Sequence, residues 1–309
     1  MKAKTIKNVL HAKIEDWLAS IQDKDLADHV RNHCLVTGGA IASMLMDMKV
    51  NDYDIYFTDL GTARRVAEYY VANFKKTAKP SNHKTGEEVP ISVVVEKDRV
   101  KIVVQSQGIA SEGGTKEYQY FESTGINDPS CEQFVADVAS VLDADEEKDK
   151  PKYRPVFMSS NAITLSGQVQ IVLRFYGDVQ EIHKNYDFVH CTCAWESKTG
   201  NLSLPPEALE CLLAKELRYI GSKYPLCSII RTRKFIQRGF SINAGEYLKM
   251  VFQLGELDLT NVDVLEDQLT GVDSAYFAIL IDALRRKKAS NPKFKANYLY
   301  VAEIIDRIF

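Results

Sequence analysis

The stretch that most limits what this chain can be is Val36-Thr37-Gly38-Gly39, an apolar helix-like run from Ala40 to Met48, and then Asn51-Asp52-Tyr53-Asp54-Ile55-Tyr56-Phe57. Aromatic and branched residues mark the last segment as a strand, and a strand alternates its faces, so Asp52 and Asp54 project from one side. Tyr53, Ile55 and Phe57 take the other side, where burial would hold the acidic edge rigid. Two carboxylates so close repel unless a cation lies between them, and Mg²⁺ prefers carboxylate oxygens together with phosphates. Gly38-Gly39 lets backbone N–H groups approach an anion with no Cβ in the way, at the positive end of the following helix. A Gly-Gly turn alone, or an Asp-x-Asp edge alone, is commonplace. In this order and at this spacing they point to metal-assisted phosphate chemistry on a triphosphate.

A hydrophobic residue, Gly-Gly, a helix and then Asp-x-Asp on a strand resembles the signature of the polymerase β-like nucleotidyltransferase superfamily. Within it, the run from Gly38 to Phe57 is most similar to the head domain of CCA-adding enzymes and bacterial poly(A) polymerases. Those enzymes usually carry an Arg-Asp pair after the glycines, whereas this helix reads Ala42-Ser43-Met44-Leu45.

At 309 residues, 45% hydrophobic and 26% charged, the chain is long enough for two cored domains and is not compositionally disordered. A net charge of −3 gives no global basic field, so any nucleic-acid contact must rest on a local patch. Six cysteines without a Cys-x-x-Cys pair, no apolar signal-peptide core and no membrane-length apolar run lead to the expectation of a reduced, cytoplasmic protein.

Residues 5–32 carry apolar positions at helical spacing and read as one or two amphipathic helices. After the acidic strand, Thr58-Asp59-Leu60-Gly61 reads as a capped turn into a helix from Ala63 to Phe74. A lysine-rich loop is expected over 75–90, then a hairpin of Ile91–Glu96 and Val100–Gln105. Gly108–Glu117 and Asp143–Lys152 read as exposed insertions. Ser160 and Asn161, before a strand at Val169–Phe175, are candidate ribose or phosphate contacts, although such residues usually satisfy their own turn.

Tyr186–Cys191 reads as a second acid-bearing strand. Superfamily enzymes place a third carboxylate on a neighbouring strand, and the resemblance assigns that place to Asp187 rather than to Asp98, which falls in a hairpin turn. His190, Cys191 and Cys193 would not share a zinc ion from a strand, because His190 would face away from the cysteines.

Beyond Pro205-Pro206 the pattern becomes helical, with a helix expected over Glu207–Ile220 and others over Ala275–Arg286 and Tyr298–Phe309. The segment Tyr224–Ile242 resembles the neck of the same enzymes, an arginine-rich helix ending in Gly-Phe-x-hydrophobic, one residue short and with Tyr224 where an acid usually precedes the proline. By that resemblance Arg231, Arg233 and Lys234 reach the incoming nucleotide.

The expected architecture is α/β (α+β): a small mixed-sheet nucleotidyltransferase head over 1–203, then a helical C-terminal domain over 204–309 closing the nucleotide cleft. The resemblance implies an enzyme of Mg²⁺-dependent, template-independent nucleotidyl transfer. Asp52, Asp54 and Asp187 are its catalytic and metal-binding carboxylates, with two Mg²⁺ ions and Mn²⁺ as an alternative. Gly38, Gly39, Ser160, Asn161, Arg231, Arg233 and Lys234 are its nucleotide contacts. A nucleoside triphosphate is the donor and a nucleic-acid 3′ end or growing oligonucleotide the expected acceptor. The alternatives are a protein hydroxyl, with Tyr298 and Tyr300 as candidates for self-transfer and a place in anti-phage defence, or an inactive nucleotide-binding module.

Overall fold

The computed structural model describes residues 1–78, 91–96, 99–104, 110–111, 151–269, 288–294, 297, 299 and 302. Asp98, Cys131, the expected helix Ala275–Arg286, Tyr298, Tyr300 and most of the two expected insertions lie outside these residues. The chain divides into two compact units, the first formed by 1–181 and 194–203, the second by 182–193 and 204–309.

The first unit is mixed α/β. Helices α1 (Ala3–Ser20) and α2 (Lys24–His33) occupy the amphipathic region read from the sequence. Strand β1 (Cys34–Thr37) leads through Gly38 into the seven-residue helix α3 (Gly39–Leu45). Strand β2 (Tyr53–Phe57) and the long helix α4 (Leu60–Ala78) follow. Asp59 caps α4 by accepting from the Thr62 N–H at 2.8 Å, as its place before an apolar helix suggests. Lys75 and Lys76, expected in a loop, form the last turn of α4, where their charge suits the helix dipole.

Strands β3 (Ile91–Glu96) and β4 (Arg99–Val104) form the expected antiparallel hairpin. Next come β5 (Ala110–Ser111), β6 (Pro155–Met158), β7 (Ala162–Leu165) and β8 (Val169–Tyr176). Helix α5 (Val179–His183) precedes β9 (Ala194–Glu196) and β10 (Leu202–Ser203). The main sheet has the order β10-β9-β1-β2-β8-β7-β6-β5. Only β2 and β8 run parallel in it. Its core is built by Ile6, Leu10, Ile14 and Trp17 of α1 and by Val66, Tyr70 and Phe74 of α4, all buried. The Trp17 indole N–H donates to the Tyr70 hydroxyl at 2.7 Å, so the amphipathic faces are also fixed by a buried polar contact.

The second unit is largely helical among the described residues, with α6 (Pro206–Ala214), α7 (Pro225–Gln237), α8 (Ala244–Gly255) and α9 (Val262–Leu269). The helix expected to reach Ile220 stops six residues earlier, at Ala214, where Lys215 turns left-handed with φ 50°. Glu216–Leu217 instead forms β11, which pairs in parallel with β12 (Ser241–Ile242). Leu213, inside α6, is 87% exposed while Leu212 and Leu217 are buried, so the leucine spacing does not belong to one helix face.

The strand expected over Tyr186–Cys191 is not formed. Phe188 makes one isolated bridge to Tyr219, and Val189–Cys191 is a single 3₁₀ turn. The apolar spacing that suggested a strand instead buries Phe188 and His190 against Phe235, at ring distances of 5.5 and 4.6 Å.

Candidate active site

The antiparallel register of β1 on β2 runs from Cys34 opposite Phe57 to Val36 opposite Ile55. It therefore brings the end of β1, and Gly38-Gly39 directly after it, to the end of β2 that carries Asp54 and Asp52. Both acids are half-buried, while Tyr53, Ile55 and Phe57 are buried, and so is Tyr56, which shares the acids' parity along the strand. Burial raises the Tyr53 phenol above its ordinary value, and Lys13 Nζ lies 5.1 Å from the centre of its ring. The acid-bearing strand thus rests on an apolar floor rather than on water.

Gly38 precedes α3 with φ 96° and ψ −146°, a conformation that side-chain-bearing residues avoid. Gly39 opens the helix, and a Cβ placed on it would meet no heavy atom within 4 Å. The two glycines therefore have different reasons: the first makes the turn, and the second leaves open space beside the backbone. At the far end of α3, Asp47 takes φ 54° and Met48 N–H reaches back to Ser43 O at 2.8 Å, a left-handed cap that turns the chain toward the acids.

The approach to the acids is held from the other side by the β7–β8 turn. Tyr53 N–H donates to Gln168 O at 2.8 Å, and the Gln168 side-chain amide reaches Val50 O at 3.5 Å. Gln168 and Gly167 both have positive φ, 59° and 75°, and a Cβ on Gly167 would come within 2.9 Å of the Tyr153 ring.

Beside Asp54 in the parallel register stands Gln170, and beside Gln170 on the next strand stands Thr164. Gln170 is buried. Sequence reasoning passed over both residues; a lone glutamine inside the apolar run of β8 was the available signal. The strands flanking β2 read Cys-Leu-Val-Thr and Val-Gln-Ile-Val-Leu-Arg-Phe-Tyr, so neither carries a carboxylate.

Ser160 and Asn161 lie in the turn between β6 and β7, just before Ala162. The registers of β7 on β8 and β8 on β2 set Thr164, not Asn161, level with Asp54. At about 3.3 Å per residue, Asn161 lies roughly 10 Å further along the strand direction, toward the end of β2 that carries Phe57. Here Ser159 closes the turn, its hydroxyl oxygen accepting from Ala162 N at 3.1 Å and Asn161 N at 3.3 Å.

Asp187, Arg231, Arg233 and Lys234 belong to the second unit. Asp187 is buried and accepts from Arg231 Nη1 at 2.7 Å, while Arg233 and Lys234, on the same helix α7, are exposed. His190 and Cys191 contact each other, with His190 Nε2 3.3 Å from Cys191 Sγ. The five described cysteines are buried thiols, none of them in a disulfide.

No helix among the described residues is long and apolar enough to cross a membrane. Several solved structures are similar to this chain at low identity. They include a Thermotoga maritima CCA-adding enzyme complexed with tRNA, with TM-score 0.38 and 15% identity, covering 90% of this chain and 53% of that one. A Bacillus stearothermophilus CCA-adding enzyme in complex with CTP has TM-score 0.37 and 14% identity, over 90% of this chain and 51% of that one. This chain thus covers about half the length of each. A curated relative, "Gabija anti-defense 2" of Bacillus phage SPbetaL7, is 24% identical over 103 residues, which are 33% of this chain and 26% of the relative. The match therefore spans about a quarter of that protein. A family model described as Gabija anti-defense 2 family protein matches residues 8–215, more than half of the chain and including Gly38-Gly39 and Asp52-x-Asp54. On that match, the chain belongs to the Gabija anti-defense 2 family.

Proposed function

We propose that this protein transfers a nucleoside monophosphate from a nucleoside triphosphate to an acceptor hydroxyl at the Asp52–Asp54 edge of β2. The observation that carries the reading is the β1–β2 register, which sets Gly38-Gly39 and the two acids at one end of the same strand pair. Asp52, Asp54 and the adjacent Gln170 amide offer only hard oxygen donors toward that edge, a set that fits Mg²⁺. Bound there, Mg²⁺ would supply charge stabilisation at the phosphoryl oxygens and an acidified acceptor hydroxyl.

The chain's own contribution is placement. The Gly38-Gly39 backbone admits the β and γ phosphates closely, and the Tyr53–Gln168 hydrogen bond fixes where the acids start along the strand. Buried Ile55 and Phe57 keep β2 from sliding under them. In the reaction the acceptor oxygen bonds to the α-phosphorus, the α–β bridging P–O bond breaks in line, and pyrophosphate leaves. Such a reaction depends on positioning and electrostatics more than on covalent chemistry by the protein.

In this proposal a nucleic-acid 3′ end or oligonucleotide is the first acceptor and a protein hydroxyl the alternative. The name of the curated relative supports placing the activity in a phage's conflict with a host defence. A second reading, a nucleotide-binding module without turnover, is favoured by one observation, the absence of a carboxylate from both strands flanking β2.

Incubating the purified protein with each labelled NTP and dNTP and Mg²⁺, with and without RNA and DNA oligonucleotides, separates these readings on a denaturing gel. Extended oligonucleotides indicate a 3′-end acceptor, and label on the protein band indicates self-transfer. Binding of a nucleotide without transfer indicates the inactive module.

A further inference from the structure

Outside the acidic edge, one cluster of side chains in the first unit has the composition of a transition-metal site. His29 and His33 stand one turn apart on α2, and Asp59 lies at the start of α4; one ligand atom from each lies within 4.8 Å of the others. All three residues are half-buried, so an ion could reach them and still hold a water. The imidazole rings are stacked, 4.1 Å apart and 16° from parallel.

The hydrogen bonds around the cluster already give one of the two rings the tautomer that a metal ligand requires. His33 Nδ1–H donates to the His29 carbonyl at 2.8 Å, which leaves the lone pair on Nε2; such a second hydrogen bond is what orients metal-bound histidine. The Thr62 hydroxyl donates to Asp59 at 2.7 Å, so at 2.8 Å it accepts from His29 Nε2.

We infer that His29, His33 and Asp59 form a binding site for a divalent transition metal of the zinc class, with water in the fourth position. An ion entering there replaces the Thr62 hydroxyl as the bridge between His29 and Asp59, and His29 moves its remaining proton to Nδ1. Two imidazoles and one carboxylate favour Zn²⁺ over Mg²⁺. The site is distinct from the acidic edge: Cys34 pairs with Phe57 at the opposite end of β1 and β2 from Gly38 and Asp54. Its effect is to clip α2 to the first turn of α4.

The test uses the full chain after dialysis against a chelator. Titrated with Co²⁺, it should bind one equivalent with visible d–d absorption and no near-ultraviolet sulfur charge-transfer band, and Zn²⁺ should displace the cobalt. His33→Gln, and Asp59→Ser, which retains a cap for Thr62 N–H, should each weaken binding at least ~10-fold, with an unchanged far-ultraviolet circular dichroism spectrum. Asp52→Asn/Asp54→Asn should keep the signal. Absence of binding, a thiolate band, or equal binding in His33→Gln and Asp59→Ser would overturn the assignment.

Discussion

Gln170 lies beside Asp54 in the parallel pairing of β2 with β8, buried and in register, on a strand with no carboxylate of its own. The acidic edge therefore has two aspartates and an amide where a third negative charge could stand. Replacing Gln170 with Glu should create like-charge repulsion of about 1 kcal/mol against Asp54, a loss of roughly 2–4 °C in Tm. Mg²⁺ should reverse the loss in Gln170→Glu if the edge binds the ion. Thermal melts with and without Mg²⁺ measure both effects.

The two glycines should separate stability from function. Gly38→Ala forces a side-chain-bearing residue to φ 96°, at a cost of about 1–3 kcal/mol, and should lower Tm. Gly39→Ala enters open space on a helix and should leave stability unchanged or raise it by up to about 1 kcal/mol. If phosphates approach that backbone, Gly39→Ala should still raise the apparent KM for the triphosphate. Melting curves alongside steady-state nucleotide kinetics check the pair.

The buried ion pair of Asp187 with Arg231 can be weighed directly. Asp187 is buried and held by Arg231, so Asp187→Asn should destabilise the second unit by about 2 kcal/mol or more, leaving the arginine without its counter-charge. Denaturant unfolding of Asp187→Asn and of Asp187→Asn/Arg231→Met would show the double variant recovering part of the loss. A Tm equal to wild type in Asp187→Asn would leave the third-carboxylate assignment as the better account of this residue.

His190 should make the protein acid-sensitive. Burial lowers its pKa from 6.5 to about 4, with Asp187 acting against the shift and Arg238 with it. In the unfolded chain the same imidazole takes up a proton near its ordinary value, so the unfolded state binds more protons between the two. Its contribution to stability is therefore full above about pH 6.5 and declines as pH falls toward 4. Melts at pH 7.5, 6 and 5 should show a steeper decline in wild type than in His190→Gln, compared from each protein's own value at pH 7.5.

The β2 strand was legible in the sequence because its signal is local: alternation over Asp52–Ile55 and two glycines before a helix depend on a few neighbouring residues. The amphipathic helices α1 and α4 were legible for the same reason. What failed were readings that depended on distant partners. Tyr186–Cys191 has a strand's apolar spacing, but Phe188 and His190 are buried by Phe235 of α7, and no periodicity announces that. Leu213 and Leu217 share helical spacing, yet Lys215 turns the chain between them. Gln170 gains its place only from the β2–β8 register, which no local pattern announces. His29 and His33 stand one helical turn apart, but Asp59 joins them only when α4 packs beside α2.

The central claim is that Asp52 and Asp54 carry Mg²⁺-dependent nucleotidyl transfer. Its most direct measurement is the initial rate of transfer from a labelled triphosphate by wild type, Asp52→Asn and Asp54→Asn, with circular dichroism to confirm an unchanged fold. The account predicts transfer by wild type that stops on chelation, and a fall of at least ~10²-fold in each variant. Transfer at the wild-type rate in either variant would contradict it.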